Sequence, residues 1–270
     1  MNMEKDNTPF FSVVVVSLNA EKLIRSTLDS VLSQTFDDYE VIVKDGISAD
    51  ETVEQIPSDD RIRVFVQKDT GIYDAMNQAT SFTNGRYIIY LNCGDTFASP
   101  NVLSKVRALI GEENYGYVYG DWTRDDIPHR QPEKLTDFYL YRTPLCHQSI
   151  FFNGDDLRKV FYYNTKYRIL ADYNLELEMR AVKNTKHIDL TVCSYLGGGV
   201  SETKNGYETK CSEREEIIKV HYPKRRRKAY SLFLKMTFPK LRNRLASSDL
   251  VDIQKTYQRI VNNINGGERL

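Results

Sequence analysis

An acidic residue follows directly on a run with the pattern of a buried strand in the segment "YIIYLNCGDTF", Tyr87 to Phe97. The aromatic and β-branched residues from Tyr87 to Asn92 favour the interior of a sheet. Gly94 then allows a turn that would strain most side chains. Asp95 is therefore expected at the carboxyl end of a central strand, where ligands bind in open α/β sheets. The alternative is that Asp95 only caps the turn or the following helix.

Polar clusters also follow the three earlier predicted strands. In chain order they are Ser17, Asn19 and Glu21, then Asp45 and Asp50, then Lys68, Asp69 and Asp74. Parallel strands bring their carboxyl ends to one edge of a sheet, so these clusters are expected to converge. Carboxylates held together repel each other unless a cationic or hydrogen-bonding group is bound, which favours a ligand with a metal ion. Asp50, followed by Glu51 and Thr52, is favoured as a helix cap instead.

Strands and helices alternate along the first half of the chain. The predicted strands are Phe10–Ser17, Glu40–Lys44, Ile62–Val66 and Tyr87–Leu91, and the predicted helices are Leu23–Leu32, a short one opened by Asp50, Tyr73–Phe82 and one from Pro100 to Ile110. This order predicts an α/β fold with a mainly parallel central sheet flanked by helices. Another helix is expected from about Asp172 to Val182.

Length and composition limit the class of protein. The chain has 270 residues, 41% of them hydrophobic, and its 37 basic and 37 acidic residues cancel. These values predict a globular protein that does not bind nucleic acid. The four cysteines form no C-x-x-C pair, so reduced thiols in the cytoplasm are expected. No transmembrane segment is predicted.

Four segments taken together resemble one family. They are "FFSVVVVSLNAEKLIRSTLDSVLSQTFDDYEVIVKDGISADET", "KDTGIYDAMNQAT", "GRYIIYLNCGDTF" and "ILADYNLELEM". In this order they resemble the family-two inverting glycosyltransferases, which have the GT-A fold and use nucleotide-diphosphate sugars. Within that group "DTGIYDAMN" is most similar to bacterial enzymes that build O-antigen, capsule or exopolysaccharide.

The resemblance implies a donor site. Asn19, Glu21 and Asp45 would contact the nucleobase and ribose, and Asp95 would be the surviving carboxylate of the D-x-D motif. The full set of expected nucleotide-sugar-binding residues is Ser17, Asn19, Glu21, Asp45, Lys68, Asp74, Asn92 and Asp95. Cys93 stands where the motif often has its first aspartate, and a thiol is a poor ligand for Mg²⁺ or Mn²⁺. Asp95 is therefore the expected metal ligand, together with the phosphate oxygens of the donor.

A base for the transfer is also implied. In the family it is an acidic residue that opens a helix in the second half of the chain, and Asp172 holds that place; the alternative is that Asp172 is only an N-cap. Glu176 and Glu178 are weaker candidates and are expected to face solvent. The segment "GGGVS" after Leu196 is favoured as a flexible turn over a loop that closes on the diphosphate.

Four residues are expected to bind the acceptor. Asp121 and Trp122 follow a predicted strand, and an aromatic face can stack on a sugar ring while a carboxylate accepts hydroxyl protons. His147 and Gln148 precede an apolar run and are expected to line the same cleft, in contact with substrate or metal.

The segment 221–248 holds nine Lys and Arg residues and no acidic residue, with aromatic and aliphatic residues between them. Such a composition favours a helix on an anionic membrane surface over one that packs on the catalytic domain or one that binds nucleic acid.

The sequence thus predicts a GT-A-like catalytic domain over residues 1–212 and a basic helical segment over 213–270. The expected enzyme moves a sugar from a UDP-sugar to a glycan or lipid-linked acceptor on the inner face of the cytoplasmic membrane. A nucleotidyltransferase of related fold is one alternative, although "SLNAEKL" lacks the Gly-rich basic loop that it needs. A non-enzymatic glycan-binding or scaffold protein is the other.

Overall fold

A computed structural model of the chain describes residues 8–199 and 202–236. Its strands are β1 Phe11–Ser17, β2 Tyr39–Asp45, β3 Ile62–Val66, β4 Tyr87–Tyr90, β5 Thr96–Phe97, β6 Tyr117–Arg124, β7 Ile127–His129, β8 Ile150–Asn153 and β9 Thr185–Ser194. Its α-helices are α1 Ile24–Leu32, α2 Ile72–Thr80, α3 Val102–Ile110, α4 Asp137–Arg142, α5 Gly154–Lys159, α6 Ala171–Val182, α7 Lys204–His221 and α8 Lys224–Met236. A 3₁₀ turn covers His147–Ser149.

The described strands form one mixed sheet in the order β3-β2-β1-β4-β8-β6-β9-β5, with β7 added beside β6. β1 to β4 pair in parallel, as the sequence predicts, and β6 pairs in parallel with β9. β8 runs antiparallel between β4 and β6, so it joins the two parallel parts. The predicted α/β architecture of the GT-A type is confirmed, with antiparallel pairs in the second half of the sheet.

Helices cover both faces of the sheet because both faces are apolar. Every residue of β1 is buried. Since neighbouring residues of a strand point to opposite faces, Val13 and Val15 pack with α1 and α3, while Val14 and Val16 pack with α2 and α6. The carboxyl ends of β1, β2 and β4 are thereby held at one edge of a sheet whose two faces are closed.

The short helix expected from Asp50 is not formed, and this prediction is wrong. Residues 51–55 form turns. Asp50 Oδ1 accepts hydrogen bonds from both the backbone N–H and the hydroxyl of Thr52, and its Oδ2 accepts one from Glu21 N at 3.2 Å. Side-chain bonds of this kind offer the backbone an alternative to a helix, so Asp50 caps a turn.

The C-terminal helices pack on the catalytic domain as far as they are described. The expected boundary between residues 212 and 213 lies inside α7, whose Ile217 and Ile218 are buried in the core. Tyr230 of α8 packs against Tyr141 and Tyr222. Residues 237–248 of the basic segment lie outside the described residues. Within the part of the chain that is described, no helix has the length and apolar character needed to cross a membrane.

Candidate active site

A cavity of about 530 Å³ lies beside the loop that follows β4. Six residues singled out from the sequence line it: Asn92, Asp95, Trp122, His147, Gln148 and Asp172. They come from the loop after β4, the end of β6, the 3₁₀ turn and the start of α6, which are separated by up to 80 positions in the chain. The fold therefore collects side chains that the sequence could only place on separate elements.

Asp95 lies in the wall of this cavity and is only 3% exposed. Its Oδ2 accepts a hydrogen bond from Gln148 Nε2 at 3.0 Å, and its Oδ1 accepts one from Leu196 N at 2.9 Å. Burial raises the pKa of Asp95 to about 6, although these two bonds act in the opposite direction. Asp95 thus does more than cap the turn, because its side chain joins the loop after β4 to the 3₁₀ turn and to the loop after β9.

The glycine-rich loop begins at that contact. Gly197 and Gly198 have φ angles of 78° and 75°, which favour glycine, and Gly197 and Gly199 line the cavity. Val200 and Ser201 lie outside the described residues. Leu196 directly precedes these glycines, and its backbone N–H donates the hydrogen bond to Asp95.

The residues around Asp95 fit a divalent cation shared with a diphosphate. The Cys93 thiol lies 3.5 Å from Val16 O, and burial raises its pKa to about 12, so a neutral thiol stands here, which suits a hard cation such as Mg²⁺ poorly. Asn92 Oδ1 is buried in the same wall without a hydrogen-bond partner among the described residues. Those residues contain no group of three or more His, Cys, Asp or Glu side chains that could enclose a metal. Asp95 and Asn92 together therefore suit Mg²⁺ or Mn²⁺ only when phosphate oxygens complete the coordination.

Asp172 lies in the first turn of helix α6 and lines the same cavity. It is the second residue of the helix and the N-cap is Leu170, so Asp172 is not the N-cap. Its Oδ1 accepts hydrogen bonds from Tyr173 N at 2.8 Å and from the Tyr73 hydroxyl at 3.0 Å. The Tyr73 oxygen is also 2.7 Å from Ile169 O. Since a tyrosine has one hydroxyl proton, Tyr73 serves either the carboxylate or the carbonyl.

The expectation that Glu176 faces solvent is wrong. Glu176 is fully buried one turn after Asp172, and its Oε2 accepts a hydrogen bond from Leu145 N at 3.1 Å. Burial, with a further contribution from Asp172, raises the pKa of Glu176 well above its usual range. Glu178 is half-buried and accepts a hydrogen bond from Asn174 Nδ2 at 2.9 Å. Among the three acidic residues of α6, Asp172 alone lines the cavity.

His147 and Gln148 line the cavity, and both already have protein partners. His147 Nε2 lies 2.8 Å from the Tyr163 hydroxyl, and burial lowers the pKa of the imidazole, so it is neutral. Gln148 holds Asp95. Gln148 thus supports Asp95, and Tyr163 holds His147 in the cavity wall.

Trp122 and Asp121 are neighbours on β6, and only one of them lines the cavity. Trp122 does so; its ring stacks on His129 with centroids 4.0 Å apart and planes at 9°, and Tyr195 meets it edge-on. Asp121 is not among the lining residues, and its Oδ1 bonds to Gln131 N at 2.9 Å and His187 Nε2 at 3.2 Å. Successive residues of a strand point to opposite faces, which explains the difference.

The loops after β1 and β2 form a second polar region, separate from the cavity lining. Asp45 is fully buried and accepts hydrogen bonds from Ser17 Oγ at 2.8 Å and from Ser48 N and Oγ at 2.7 and 2.6 Å. Asn19 Oδ1 accepts a hydrogen bond from Ala49 N at 2.8 Å. Glu21 Oε2 is 3.4 Å from Glu51 N. These side chains cross-link the two loops into one ledge at the carboxyl ends of β1 and β2.

Lys68 and Asp74 also stay outside the cavity lining. Lys68 is exposed. Asp74 lies in the first turn of α2 and accepts hydrogen bonds from Thr70 N at 2.8 Å and Thr70 Oγ1 at 3.0 Å, of which the first lowers its pKa most. The fold uses Asp74 to fix the turn that starts α2.

Several residues of the site were not foreseen from the sequence. They are Tyr73, His129, Tyr195, Arg168 and Lys210 in the cavity wall, and Lys44, the partner of Asp69, beside the ledge. The position of Tyr73 in "GIYDAMN" was a usable signal, because that segment carries the resemblance. Lys44 ends a predicted strand whose pattern indicates burial but not its partner, and for the remaining residues the sequence offered no signal, so the fold identifies them.

A family model described as "Glycosyl transferase family 2" matches residues 12–169, which is more than half of the chain. The chain belongs to glycosyl transferase family 2, and it is a glycosyltransferase that acts on nucleotide sugars.

Two curated relatives and one solved structure illustrate the similarity. The PGL/p-HBAD biosynthesis glycosyltransferase of Mycobacterium tuberculosis is 32% identical over 207 residues, which cover 72% of this chain and 80% of the relative. The Escherichia coli UDP-Glc:alpha-D-GlcNAc-diphosphoundecaprenol beta-1,3-glucosyltransferase WfgD is 31% identical over 114 residues, 41% of this chain and 45% of WfgD. The crystal structure of S. aureus TarS with UDP-GlcNAc has a TM-score of 0.65 at 16% identity, covering 93% of this chain and 79% of that one, and shows the shared fold.

Proposed function

We propose that this protein is an inverting glycosyltransferase that moves a sugar from a UDP-sugar to a glycan or lipid-linked acceptor in cell-surface polysaccharide synthesis. The observation that carries the proposal is that Asp95 and Asp172 line one cavity in different environments. Asp95 is buried and suited to the diphosphate end of a donor. Asp172 is half-buried at a helix start and suited to take a proton. Two carboxylates that lie in different environments can take different chemical roles in one active site.

In the proposed reaction Asp172 is the general base. An acceptor hydroxyl between Asp172 and the donor sugar gives its proton to the carboxylate while its oxygen attacks the anomeric carbon. The bond from that carbon to the diphosphate breaks at the same time, and its electron pair leaves with the diphosphate. A single displacement inverts the anomeric configuration. Tyr73 would orient the Asp172 carboxylate through its hydroxyl.

The donor is proposed to bind with its nucleoside on the ledge after β1 and β2 and its diphosphate toward Asp95. Ser17, Asn19, Glu21 and Asp45 build this ledge. The UDP-GlcNAc complex of TarS, which shares the fold, supports a UDP-sugar carrying a hexosyl or N-acetylhexosaminyl group. A divalent cation held by Asp95 and Asn92 would neutralise charge on the leaving diphosphate.

The acceptor is proposed to occupy the outer half of the cavity. Trp122 offers an aromatic face for a sugar ring. Arg168 and Lys210 line the same cavity and would attract a phosphate group next to that sugar. WfgD acts on an acceptor of this kind, a sugar diphosphate on a lipid, which supports a lipid-linked acceptor here.

Helix α8 supports a position on the inner face of the cytoplasmic membrane. Arg225, Lys228, Leu232 and Lys235 are exposed and follow one another at helical spacing. Tyr230 lies on the other side and packs on the catalytic domain. A basic stripe that also presents a leucine 60% exposed suits an anionic lipid surface.

The base assignment is tested by UDP release from UDP-glucose and UDP-GlcNAc, with water as the acceptor. Asp172→Asn should lower turnover by about 10² to 10⁴, the usual range for general acid–base catalysis, while the donor dissociation constant stays within a factor of about two. Glu178→Gln is the matched control on the same helix and should keep normal turnover. Normal turnover of Asp172→Asn would show that the base is another residue.

A further inference from the structure

Glu213 is a buried acidic residue of α7 with an unusual set of partners. It is 9% exposed, and its carboxylate accepts three backbone hydrogen bonds, from Arg168 N at 2.6 Å to Oε1 and from Ile169 N at 3.0 Å and Leu170 N at 2.9 Å to Oε2. These three N–H groups belong to the segment that leads into α6. Because hydrogen bonds from backbone N–H groups to a carboxylate are charge-assisted, one side chain fixes three consecutive residues.

The fixed segment is part of the cavity wall. Arg168, Ile169 and Leu170 all line the cavity, and Asp172 follows two residues later. With its N–H held by Glu213, the carbonyl oxygen of Ile169 lies 2.7 Å from the Tyr73 hydroxyl. The same hydroxyl is 3.0 Å from Asp172 Oδ1. A continuous set of contacts therefore runs from Glu213 through residues 168–170 and Tyr73 to Asp172.

We propose that Glu213 is a positioning residue for Asp172. Through the backbone of residues 168–170 it sets the distance from Ile169 O to the Tyr73 hydroxyl. That distance determines how often the hydroxyl donates its hydrogen bond to the Asp172 carboxylate and how often to Ile169 O. Glu213 does not line the cavity and is separated from substrate by the segment that it holds. This role rests on the proposed function, in which Asp172 is the base.

The position of Glu213 in α7 gives the C-terminal helices a part in the reaction. α7 leads directly to α8, and both helices follow the region that the family model matches. A change in the packing of α7 would thus reach the proposed base without touching the donor site.

The test is a double-mutant cycle on UDP release from UDP-glucose and UDP-GlcNAc. Glu213→Gln puts an amide group among three N–H donors, so it should lower kcat about tenfold while KM for the donor stays within a factor of about two. In the Asp172→Asn background the same substitution should change kcat by less than a factor of two, because the group that it positions is gone. Glu216→Gln is the matched control on α7. Glu216 pairs with the exposed Lys166, and its loss should leave kcat unchanged.

Glu213→Asp is a second variant, which separates a loss of positioning from a general loss of folding in Glu213→Gln. It keeps the charge with a side chain one methylene shorter, and it should restore part of the kcat lost in Glu213→Gln at a temperature where circular dichroism shows both to be folded. Equal loss of kcat from Glu213→Gln with and without Asp172, or a loss seen mainly in KM, would overturn the positioning role. Normal turnover of Asp172→Asn would instead overturn the proposed base, so the two failures are distinguishable.

Discussion

At the scale of single residues, burial decides the chemistry of Asp95. Its pKa of about 6 means that the folded protein binds a proton more tightly than the unfolded chain, in which an aspartate titrates near 3.8. The stability that this proton contributes is complete below about pH 4 and is lost as the pH rises through 6. At neutral pH the buried charge is therefore a cost to the fold, which a cation bound at Asp95 would relieve.

Asp95→Asn should reveal that cost. The variant is neutral at every pH, so in metal-free buffer its free energy of unfolding should fall by about 2 to 3 kcal/mol less than that of the wild type between pH 4 and pH 7, whatever the constant cost of replacing one hydrogen-bond acceptor. Urea unfolding at the two pH values measures this. An equal change in the free energy of unfolding of both proteins between the two pH values would contradict the assignment.

The same titration should govern metal binding. In the presence of UDP, stabilisation of the wild type by Mn²⁺ should rise between pH 5 and 7 with a midpoint near 6, because the carboxylate must lose its proton to bind. Asp95→Asn is the control and should lose most of the effect.

At the scale of elements, a buried ion pair ties β2 to the turn before α2. Lys44 of β2 is fully buried and pairs with Asp69, which also accepts a hydrogen bond from Gly71 N at 3.1 Å. Asp69 keeps 11% of its side-chain surface exposed, so only the lysine is completely removed from water. The pair fixes the turn "KDTG" beside the ledge proposed for the donor.

Replacing Asp69 and replacing Lys44 should lower the free energy of unfolding by unequal amounts. Asp69→Ala leaves a buried ammonium group without its partner and should lower the free energy of unfolding by about 3 to 5 kcal/mol. Lys44→Met should cost less, since the remaining carboxylate reaches water. Asp29→Ala, which breaks the solvent-exposed pair with Arg25, is the control and should cost under about 1 kcal/mol. Equal costs at Lys44 and Asp69, measured by urea unfolding, would contradict this account.

At the scale of the whole molecule, the charges cancel overall but not locally. The net formal charge is zero, yet α8 has seven-residue spacing between exposed cations at 228 and 235 and carries no acidic residue. A protein of this kind is not drawn to anionic surfaces in general, and one face must do the binding. The face proposed for such binding is the exposed stripe of α8.

Replacing Arg225, Lys228 and Lys235 together by Gln should release the full chain from vesicles rich in phosphatidylglycerol. Each cation near the surface contributes about 1 kcal/mol, so the partition coefficient should fall by about 10² or more, and wild-type binding should weaken as salt rises. Co-sedimentation with vesicles measures this.

The matched control removes the same number of charges elsewhere, at the exposed residues Lys105, Lys134 and Lys159. This variant should bind as the wild type does. If both variants lose binding equally, net charge and not α8 determines the interaction.

The sequence by itself determined the elements and the family. Apolar residues at periods of two and 3.6 reflect which face of a strand or helix is buried, so β1 to β4, α1, α2 and α3 could be predicted within a few residues. The same local patterns placed Asp95 after a strand and Asp172 at the start of a helix, whereas their roles were implied by the family resemblance. Asp50 shows the limit, because a side-chain bond to Thr52 replaces the helix that its pattern suggested.

The tertiary structure decided which of those side chains meet. It placed Trp122 at the cavity and its neighbour Asp121 away from it, and it buried Glu176, which the sequence assigned to solvent. It also brought Glu213 to a segment 43 to 45 positions earlier in the chain. Contacts between distant residues depend on how elements pack. The sequence around a carboxylate is the same whether its side chain faces water or accepts hydrogen bonds from another part of the fold.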